Sequence, residues 1–387
     1  MKIKRPLVLG VAAGIILSTV AVVTPAFADP VSNSYAIVGS DTLQSAVDAL
    51  TNGTDATGAR VRILAGSASI GNFDAFAPGY NVAGGTIQTK PAGNAFARPS
   101  GSGAGVDALV ASINNTTYGA NGVAAVNVGG LVDIARSSAP PASPKANGIL
   151  AWVPFGRDAV AYAYVGGSEA DATNVANLSA SQLNAIYGAS SDQVINGTTI
   201  KAYLPQSGSG TRKFFLGAIG ISNNTAGTAV YTNSNTLAEN DATVFPTSIP
   251  SGTAYIVPFS AANWVSQKNG VAPNTIPASG AVRLGTPLKD GSDNPIPAVT
   301  GTSPLAPNPT YYSNSTFGRD TYLVVEAARI DSTNTAKYDA TLAKLLDPSR
   351  PSSLVNMSTS ASSAGGVKRV YGFLTVSDTT VLRSDTK

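Results

Sequence analysis

A turn rich in glycine, serine and threonine, followed by apolar residues at helical spacing, occurs three times in the sequence. These turns lie at 39–42, 101–105 and 207–211. After the first turn, the i, i+3, i+4, i+7 spacing of one helix face is shown by Leu43, Ala46, Val47 and Leu50. An apolar strand leads into the first turn at 35–38 and into the third at 200–204. Strands that alternate with helices in this way predict an α/β architecture with largely parallel sheets.

Two short sequences each occur twice, far apart in the chain. Val-Pro-Phe lies at 153–155 and 257–259, and Phe-Gly-Arg-Asp lies at 155–158 and 317–320. The spacing is far outside that of solenoid repeats, so we interpret these copies as marks of strands that cross between two lobes. We expect the crossings near 155–162 and 255–261. A further segment, 272–309, is rich in Pro, Gly, Ser and Thr and predicts an irregular surface excursion.

The first 28 residues have the pattern of an export signal. A basic start (Lys2, Lys4 and Arg5) precedes an apolar run at 7–23, and Ala26-Phe27-Ala28 supplies small residues for cleavage after Ala28. The alternative is a membrane anchor, but the run is short and glycines interrupt it, whereas a membrane span needs roughly 20 apolar residues. Because no cysteine follows the signal, we expect no lipid anchor, and we expect the mature chain to be secreted or periplasmic.

Composition narrows the chemistry further. The 387 residues include no His and no Cys, which excludes disulfides, thiolate nucleophiles, imidazole bases and the usual zinc or haem ligands. Without the signal, 22 basic residues balance 22 acidic ones, and no basic run offers a surface for nucleic acid. Since no nucleophile–base pair is visible, we expect no catalytic residues, no metal site and no cofactor, and a hydrolase is only a third possibility.

The three turns suit the binding of an anion. A helix N-terminus carries unpaired N–H groups and about half a positive charge. Glycines let the backbone approach a ligand closely, and hydroxyls add further donors. Several such helix starts facing one cleft would bind an anion without a metal. A single turn of this kind often does no more than cap its helix, and Asp41 suits that role in the first helix.

The same residues resemble a known family. The helical stretch 178–188 and the Gly-Ser-Gly-Thr-Arg turn at 208–212 are similar to the helix and phosphate loop of the substrate-binding proteins of bacterial phosphate ABC transporters. The turns 39–42, 101–103 and 137–140 resemble the family's other ligand loops. The resemblance implies the α/β two-lobe fold of type II periplasmic binding proteins, with mostly parallel sheets and two hinge strands.

The resemblance also implies a division of the chain and a set of ligand contacts. Lobe I would comprise 29–158 and 262–387, and lobe II would comprise 159–261. Phosphate or a similar oxyanion would bind in the cleft between the lobes. The contacts carried over by motif are Ser40, Thr42, Ser102, Gly103, Ser138, Ser209, Gly210 and Thr211.

The charged part of the family's site is absent from its usual places. Ser138 stands where the family has an Asp that accepts a hydrogen bond from protonated phosphate, and Pro205 and Ser207 stand where it has an Arg and an Asp. We therefore expect Asp41 or Asp158 to supply the acceptor. The positive charge is expected from Arg136, Arg157 or Arg212. The alternative for Arg157 and Asp158 is a surface ion pair of well under about 1 kcal/mol.

Two functions from different classes follow. The first is a monomeric solute-binding protein for phosphate or a related oxyanion, which delivers its ligand to a membrane ABC permease. The second is a secreted adhesion or cell-wall-associated protein that has the same fold and does not bind an oxyanion. The first function is the leading hypothesis, and the missing charged residues and the long Pro/Ser/Thr-rich segment are the features that favour the alternative.

Overall fold

The computed structural model describes Ser32 and residues 34–77, 83–277 and 281–387, so the export signal expected at 1–28 lies outside the described residues. The helices are α1 Gln44–Asn52, α2 Ser102–Ile113, α3 Glu169–Val175, α4 Ala180–Tyr187, α5 Gly210–Ala218, α6 Ala261–Lys268, α7 Pro309–Tyr312, α8 Ala327–Ile330, α9 Ala340–Leu345 and α10 Ala364–Val370. None of the helices in these ranges is long and apolar enough to cross a membrane.

Most of the strands join one sheet. The strands are β1 Tyr35–Gly39, β2 Ile70–Asn72, β3 Thr86–Ile87, β4 Phe96–Ala97, β5 Thr117–Tyr118, β6 Val126–Asn127, β7 Ile134–Ser137, β8 Leu150–Gly166, β9 Gln193–Ile195, β10 Thr198–Ala202, β11 Thr253–Ser260, β12 Arg283–Gly285, β13 Val299–Thr300, β14 Ala306–Pro307, β15 Gly318–Glu326 and β16 Leu382–Ser384. The 10-stranded sheet has the order β2-β1-β7-β15-β8-β11-β10-β9, and β12 and β16 also pair with β8.

The sheet is mixed. Parallel pairs join β1 to β2 and β7 in one half and β10 to β11 in the other. The strands near the middle pair antiparallel, because β8 runs against both β15 and β11. The expected parallel pairing is therefore limited to the strands on either side of the glycine-rich turns, and the α/β class itself is confirmed.

The long strand β8 belongs to two lobes. It pairs with β15 along its first half, up to Ala159, and with β11 from Val160 onward. In lobe I, α1, α9 and α10 pack on one face of the sheet and α2 packs on the other. In lobe II, α3, α4 and α5 cover one face, and the other face packs against α6 and the segment around Phe245. Both faces of β8 are covered, which explains its nearly continuous apolar sequence.

Contacts made after residue 261 bear on where the chain returns to lobe I. Strand β12 pairs with β8 at Tyr162–Tyr164, inside lobe II. Tyr311, Tyr312 and Phe317 are also buried in the lobe II core. We therefore propose that the chain returns to lobe I at 317–318 and not near 261. The segment 272–309, in its described part, is irregular but carries β12, β13 and β14 and packs partly on lobe II.

The two copies of Phe-Gly-Arg-Asp meet at this crossing. They pair antiparallel, which places Arg319 opposite Asp158 and Asp320 opposite Arg157. Two ion pairs result, Arg319–Asp158 at 2.8 Å and Arg157–Asp320 at 3.0 Å. The surface ion pair considered for Arg157 with Asp158 is thus replaced by two cross-strand pairs, because the register exchanges the partners.

A buried lysine in lobe I lies outside these ion pairs. Lys368 on α10 is 2% exposed, and its ammonium donates to the Phe155 carbonyl at 2.5 Å. The ammonium also lies 4.7 Å from the centroid of the Phe155 ring. Burial lowers the pKa of Lys368 from 10.5 to about 7. Between these two pKa values Lys368 is protonated in the unfolded chain and neutral in the folded chain.

This difference predicts a pH dependence of stability. Between about pH 7 and pH 9 the unfolded state binds the extra proton, so the free energy of unfolding should rise with pH by up to about 1.4 kcal/mol per unit from this group. Lys368→Met should remove that rise, measured by urea unfolding at several pH values. The matched control is Lys344→Met, an exposed lysine on α9, which should keep the wild-type slope. Equal slopes in wild type and Lys368→Met would refute the assignment.

Candidate functional site

The predicted turns of the two lobes meet at one place. The loop after β1 carries Ser40 and Thr42, and Ser138 follows β7, both in lobe I. The turn before α5 comes from lobe II. Across the boundary, Thr42 Oγ1 lies 3.3 Å from Thr211 Oγ1. The Gly103 N–H, in the first turn of α2, donates to the Gly208 carbonyl at 3.2 Å. The helix N-termini thus converge, as the anion-binding hypothesis requires.

The loops are packed so closely at Gly210 that any larger residue would displace neighbouring atoms. Ser102 Oγ and Ser138 Oγ lie 3.1 Å apart. A Cβ added to Gly210 would lie 2.3 Å from Ser138 Oγ and 2.4 Å from Ser102 Oγ. The lack of a side chain at Gly210 therefore allows lobe II to reach the two serines of lobe I.

A glutamate that the sequence analysis missed lies at the centre of the site. Glu239 is 2% exposed, and its Oε2 accepts from Ser209 Oγ at 2.5 Å and from the Thr211 N–H at 3.1 Å. Its Oε1 accepts from Ser40 Oγ at 3.4 Å. The donors expected to bind an oxyanion therefore hold a carboxylate. Only a weak signal marked this residue: it is one of three glutamates in the chain.

Asn240, the next residue, joins the two lobes. Its amide nitrogen donates to Asp41 Oδ1 at 3.2 Å and to Thr42 Oγ1 at 3.3 Å, both in lobe I. Its amide oxygen accepts from the Ser260 N–H at 2.8 Å. The backbone of Asn240 is in the left-handed region (φ 57°), a conformation that asparagine adopts more readily than most residues. This conformation fits the tight turn that brings Glu239 to the loops.

Contrary to the expectation from the sequence, Asp41 does not cap α1. The helix begins at Gln44, and no side chain caps its N-terminus. Burial, followed by the neighbouring charge of Glu239, raises the pKa of Asp41 well above its usual value. Burial alone would also raise the pKa of Glu239, but hydrogen bonds from Asp41 and Ser209 outweigh it and lower this pKa. The two pKa values are therefore shifted in opposite directions, which favours a proton on Asp41 over one on Glu239.

An arginine outside the predicted set supplies a positive charge to the converged loops. Arg319 is 2% exposed, and its Nη2 donates to Asp158 Oδ2 at 2.8 Å and to Thr211 Oγ1 at 3.0 Å. Its Nη1 is buried and has no hydrogen-bond partner among the described residues. A buried guanidinium nitrogen beside an anion site is a donor that a ligand oxygen could use. The Phe-Gly-Arg-Asp repeat was the sequence signal for this residue.

The remaining predicted charges have other partners. Asp158 accepts from Arg319, Ser260 and the Ala262 N–H, so its carboxylate is fully engaged at the crossing. Arg157 donates to the Tyr312 carbonyl and pairs with Asp320. The Arg212 guanidinium is bonded to Pro205 and Asn223. The structure thus does not bring the side chains of Arg157 and Arg212 to the converged loops.

Arg136 lies directly behind the first loop. Its guanidinium donates to the carbonyls of Ser40 at 2.7 Å and Gly39 at 3.0 Å. It is fully buried, and this burial lowers its pKa to about 10, although the surrounding carboxylates act in the opposite direction. Arg136 therefore holds the loop in shape and adds positive potential, without a free donor directed at a ligand.

A cavity of about 420 Å³ opens beside the converged loops and has walls from both lobes. Its lining includes Ser102, Val106, Ser137, Trp152, Gly210 and Lys213. It lies at the N-termini of α2 and α5, which contribute Ser102 and Gly210. Within the described ranges, no group of three or more acidic side chains is placed to hold a metal ion.

Two solved structures and one family model are similar to this chain. An ABC-type phosphate transport receptor from Vibrio cholerae is 13% identical, with 89% of this chain and 100% of that chain covered and a TM-score of 0.48. The protein PstS from Borrelia burgdorferi is 14% identical, with 89% and 100% covered and a TM-score of 0.40. No curated protein sequence matches the chain. A family model described as a PBP superfamily domain matches residues 24–312, more than half of the chain, and the chain therefore belongs to the PBP superfamily.

Proposed function

We propose that this protein is an extracytoplasmic solute-binding protein that binds phosphate or a similar oxyanion between its lobes, without catalysis, and passes it to a membrane ABC permease. One observation carries the proposal: donors from both lobes converge on a single buried point and hold a carboxylate there. Ser40 approaches from lobe I, and Ser209 and Thr211 approach from lobe II. A carboxylate is itself an oxyanion, so the point has the chemistry that phosphate oxygens require.

The surroundings support a tetrahedral ligand. Helices α2 and α5 both begin at the converged loops, and the partial positive charges of their N-termini favour an anion. Arg319 Nη1 is a further buried donor that the Glu239 carboxylate does not use. A tetrahedral anion has four oxygens, compared with two in a carboxylate, and so can engage more of these donors.

A second function is favoured by the same glutamate. Glu239 satisfies the donors from within the chain, which suits an adhesion or cell-wall-associated protein that has the fold and does not bind an oxyanion. The two functions differ in one measurable property, the affinity of the mature chain for free oxyanions. Trp152 lines the interlobe cavity and provides an optical signal for a ligand entering it.

The first test is a titration of chain 29–387 with phosphate, sulfate and molybdate, after refolding from denaturant to remove bound anions. Oxyanion binding should give heat in calorimetry and a change in tryptophan emission, because the ligand or the movement of the lobes alters the surroundings of Trp152. Heat and emission that stay constant with all three anions would reject oxyanion binding and favour the second function.

The second test uses two glycines of α5. Gly210→Ala adds a methyl group between Ser102 and Ser138, so we expect about a tenfold or greater loss of oxyanion affinity by calorimetry, which corresponds to about 1.4 kcal/mol. The matched control is Gly217→Ala on the same helix, where a Cβ has nothing within 4 Å. The control should bind like wild type and gain up to about 1 kcal/mol of stability from helix propensity. Equal affinities of the two variants would contradict a ligand site at Gly210.

A further inference from the structure

Glu239 makes the contacts that a bound oxyanion would make. Its two oxygens face donors of different lobes, since Oε1 accepts from Ser40 and Oε2 accepts from Ser209 and Thr211. The Asp41 carboxyl forms a further side-chain hydrogen bond with it. Hydroxyl and amide donors of both lobes around one buried carboxylate have the composition of an anion site. The carboxylate that fills it belongs to the chain itself.

The segment that carries Glu239 is held firmly in this position. The Asn240 carbonyl accepts from Gln267 Nε2 at 2.9 Å and from Thr275 Oγ1 at 3.0 Å. The Asn240 side chain is bonded to the Ser260 N–H and to the loop after β1. Leu237 and Ala242, on either side, are buried in the lobe II core. The carboxylate is therefore delivered to the site by an ordered segment.

We propose that Glu239 is the residue that determines affinity and specificity at this site: its carboxylate is an internal ligand that joins the lobes, and a solute must displace it to bind. This inference rests on the proposed function for the identity of that solute. A buried dianion cannot share the donors with Glu239, because the two like charges would lie within a few ångströms and both would lose hydrogen bonds.

Competition of this kind selects among anions. A tethered group competes at a high effective concentration. The apparent affinity for a free solute is therefore the intrinsic affinity multiplied by the fraction of molecules in which Glu239 has left the site. A monocarboxylate offers the donors nothing that Glu239 does not already offer. A tetrahedral oxyanion brings additional oxygens for a donor such as Arg319 Nη1, and usually more charge. The site should therefore reject free monocarboxylates and admit phosphate-like anions weakly.

The test compares Glu239→Gln and Glu239→Ala with wild type by calorimetry with inorganic phosphate, and by small-angle X-ray scattering without added oxyanion. Both variants remove the internal charge, so phosphate affinity should rise about tenfold or more. The radius of gyration should also rise, because a contact between the lobes is lost. The matched control is Asp241→Asn, a buried acid of the same segment that is bonded to Thr243 outside the site, and it should behave like wild type.

Rescue by a free carboxylate separates a ligand role from a structural one. Sodium acetate should restore the compact scattering of Glu239→Ala, whereas sodium chloride at the same ionic strength should not. If Glu239→Ala does not fold, the isosteric Glu239→Gln still gives the affinity and scattering results. Unchanged or weaker phosphate binding by Glu239→Gln, in a wild-type chain that binds phosphate, would overturn the inference and leave the proposed function standing.

The opposite result is also distinguishable. If neither wild type nor variant binds phosphate, sulfate or molybdate, the proposed function fails, and the scattering alone decides the inference. Opening of Glu239→Gln but not of Asp241→Asn would then support an internal ligand in a protein that does not bind oxyanions. An unchanged radius of gyration in all variants would reject the inference that Glu239 is an internal ligand.

Discussion

The buried ion pair between Asp158 and Arg319 connects the crossing between the lobes to the N-termini of α5 and α6. It joins β8 to β15 where the chain crosses between lobes, and the Asp158 carboxylate also holds the start of α6 through Ser260 and the Ala262 N–H. Arg319 then reaches Thr211 at the N-terminus of α5. Because both charges are almost fully buried, each depends on the other and on these hydrogen bonds. The crossing and the binding loops are consequently one connected network.

The same network surrounds the converged loops with donors and positive charge from the chain itself. Helix N-termini and hydroxyls provide the donors, while Arg136 and Arg319 supply positive potential from behind the loops. The Asp41 and Glu239 carboxyls meet here with pKa values shifted in opposite directions, which favours a proton on Asp41 over one on Glu239. If Glu239 is the internal ligand that we propose, a solute must offer more than the carboxylate that it replaces.

The lobes contact each other through small residues. Gly210 lies against Ser102 and Ser138, and Thr42 meets Thr211, so the interface has little side-chain volume and many hydroxyls. Such a contact is held by hydrogen bonds and small side chains. Glu239 and Asn240 add to it, because both are bonded to residues of lobe I.

Local patterns in the sequence determined the elements and the loops of the site. The apolar spacing after 39–42 places Leu43, Ala46, Val47 and Leu50 in the core, and Ser209 caps α5, because helix periodicity and capping depend on a few neighbouring residues. Family resemblance then identified which loops converge. Neither source indicated Glu239, which meets Ser40 from 199 residues away in the chain. Nor did they indicate that Arg319 and not Arg157 would pair with Asp158. Those choices depend on strand register and on how the lobes close, and no short-range pattern encodes either, so only the tertiary structure decided which charges entered the site.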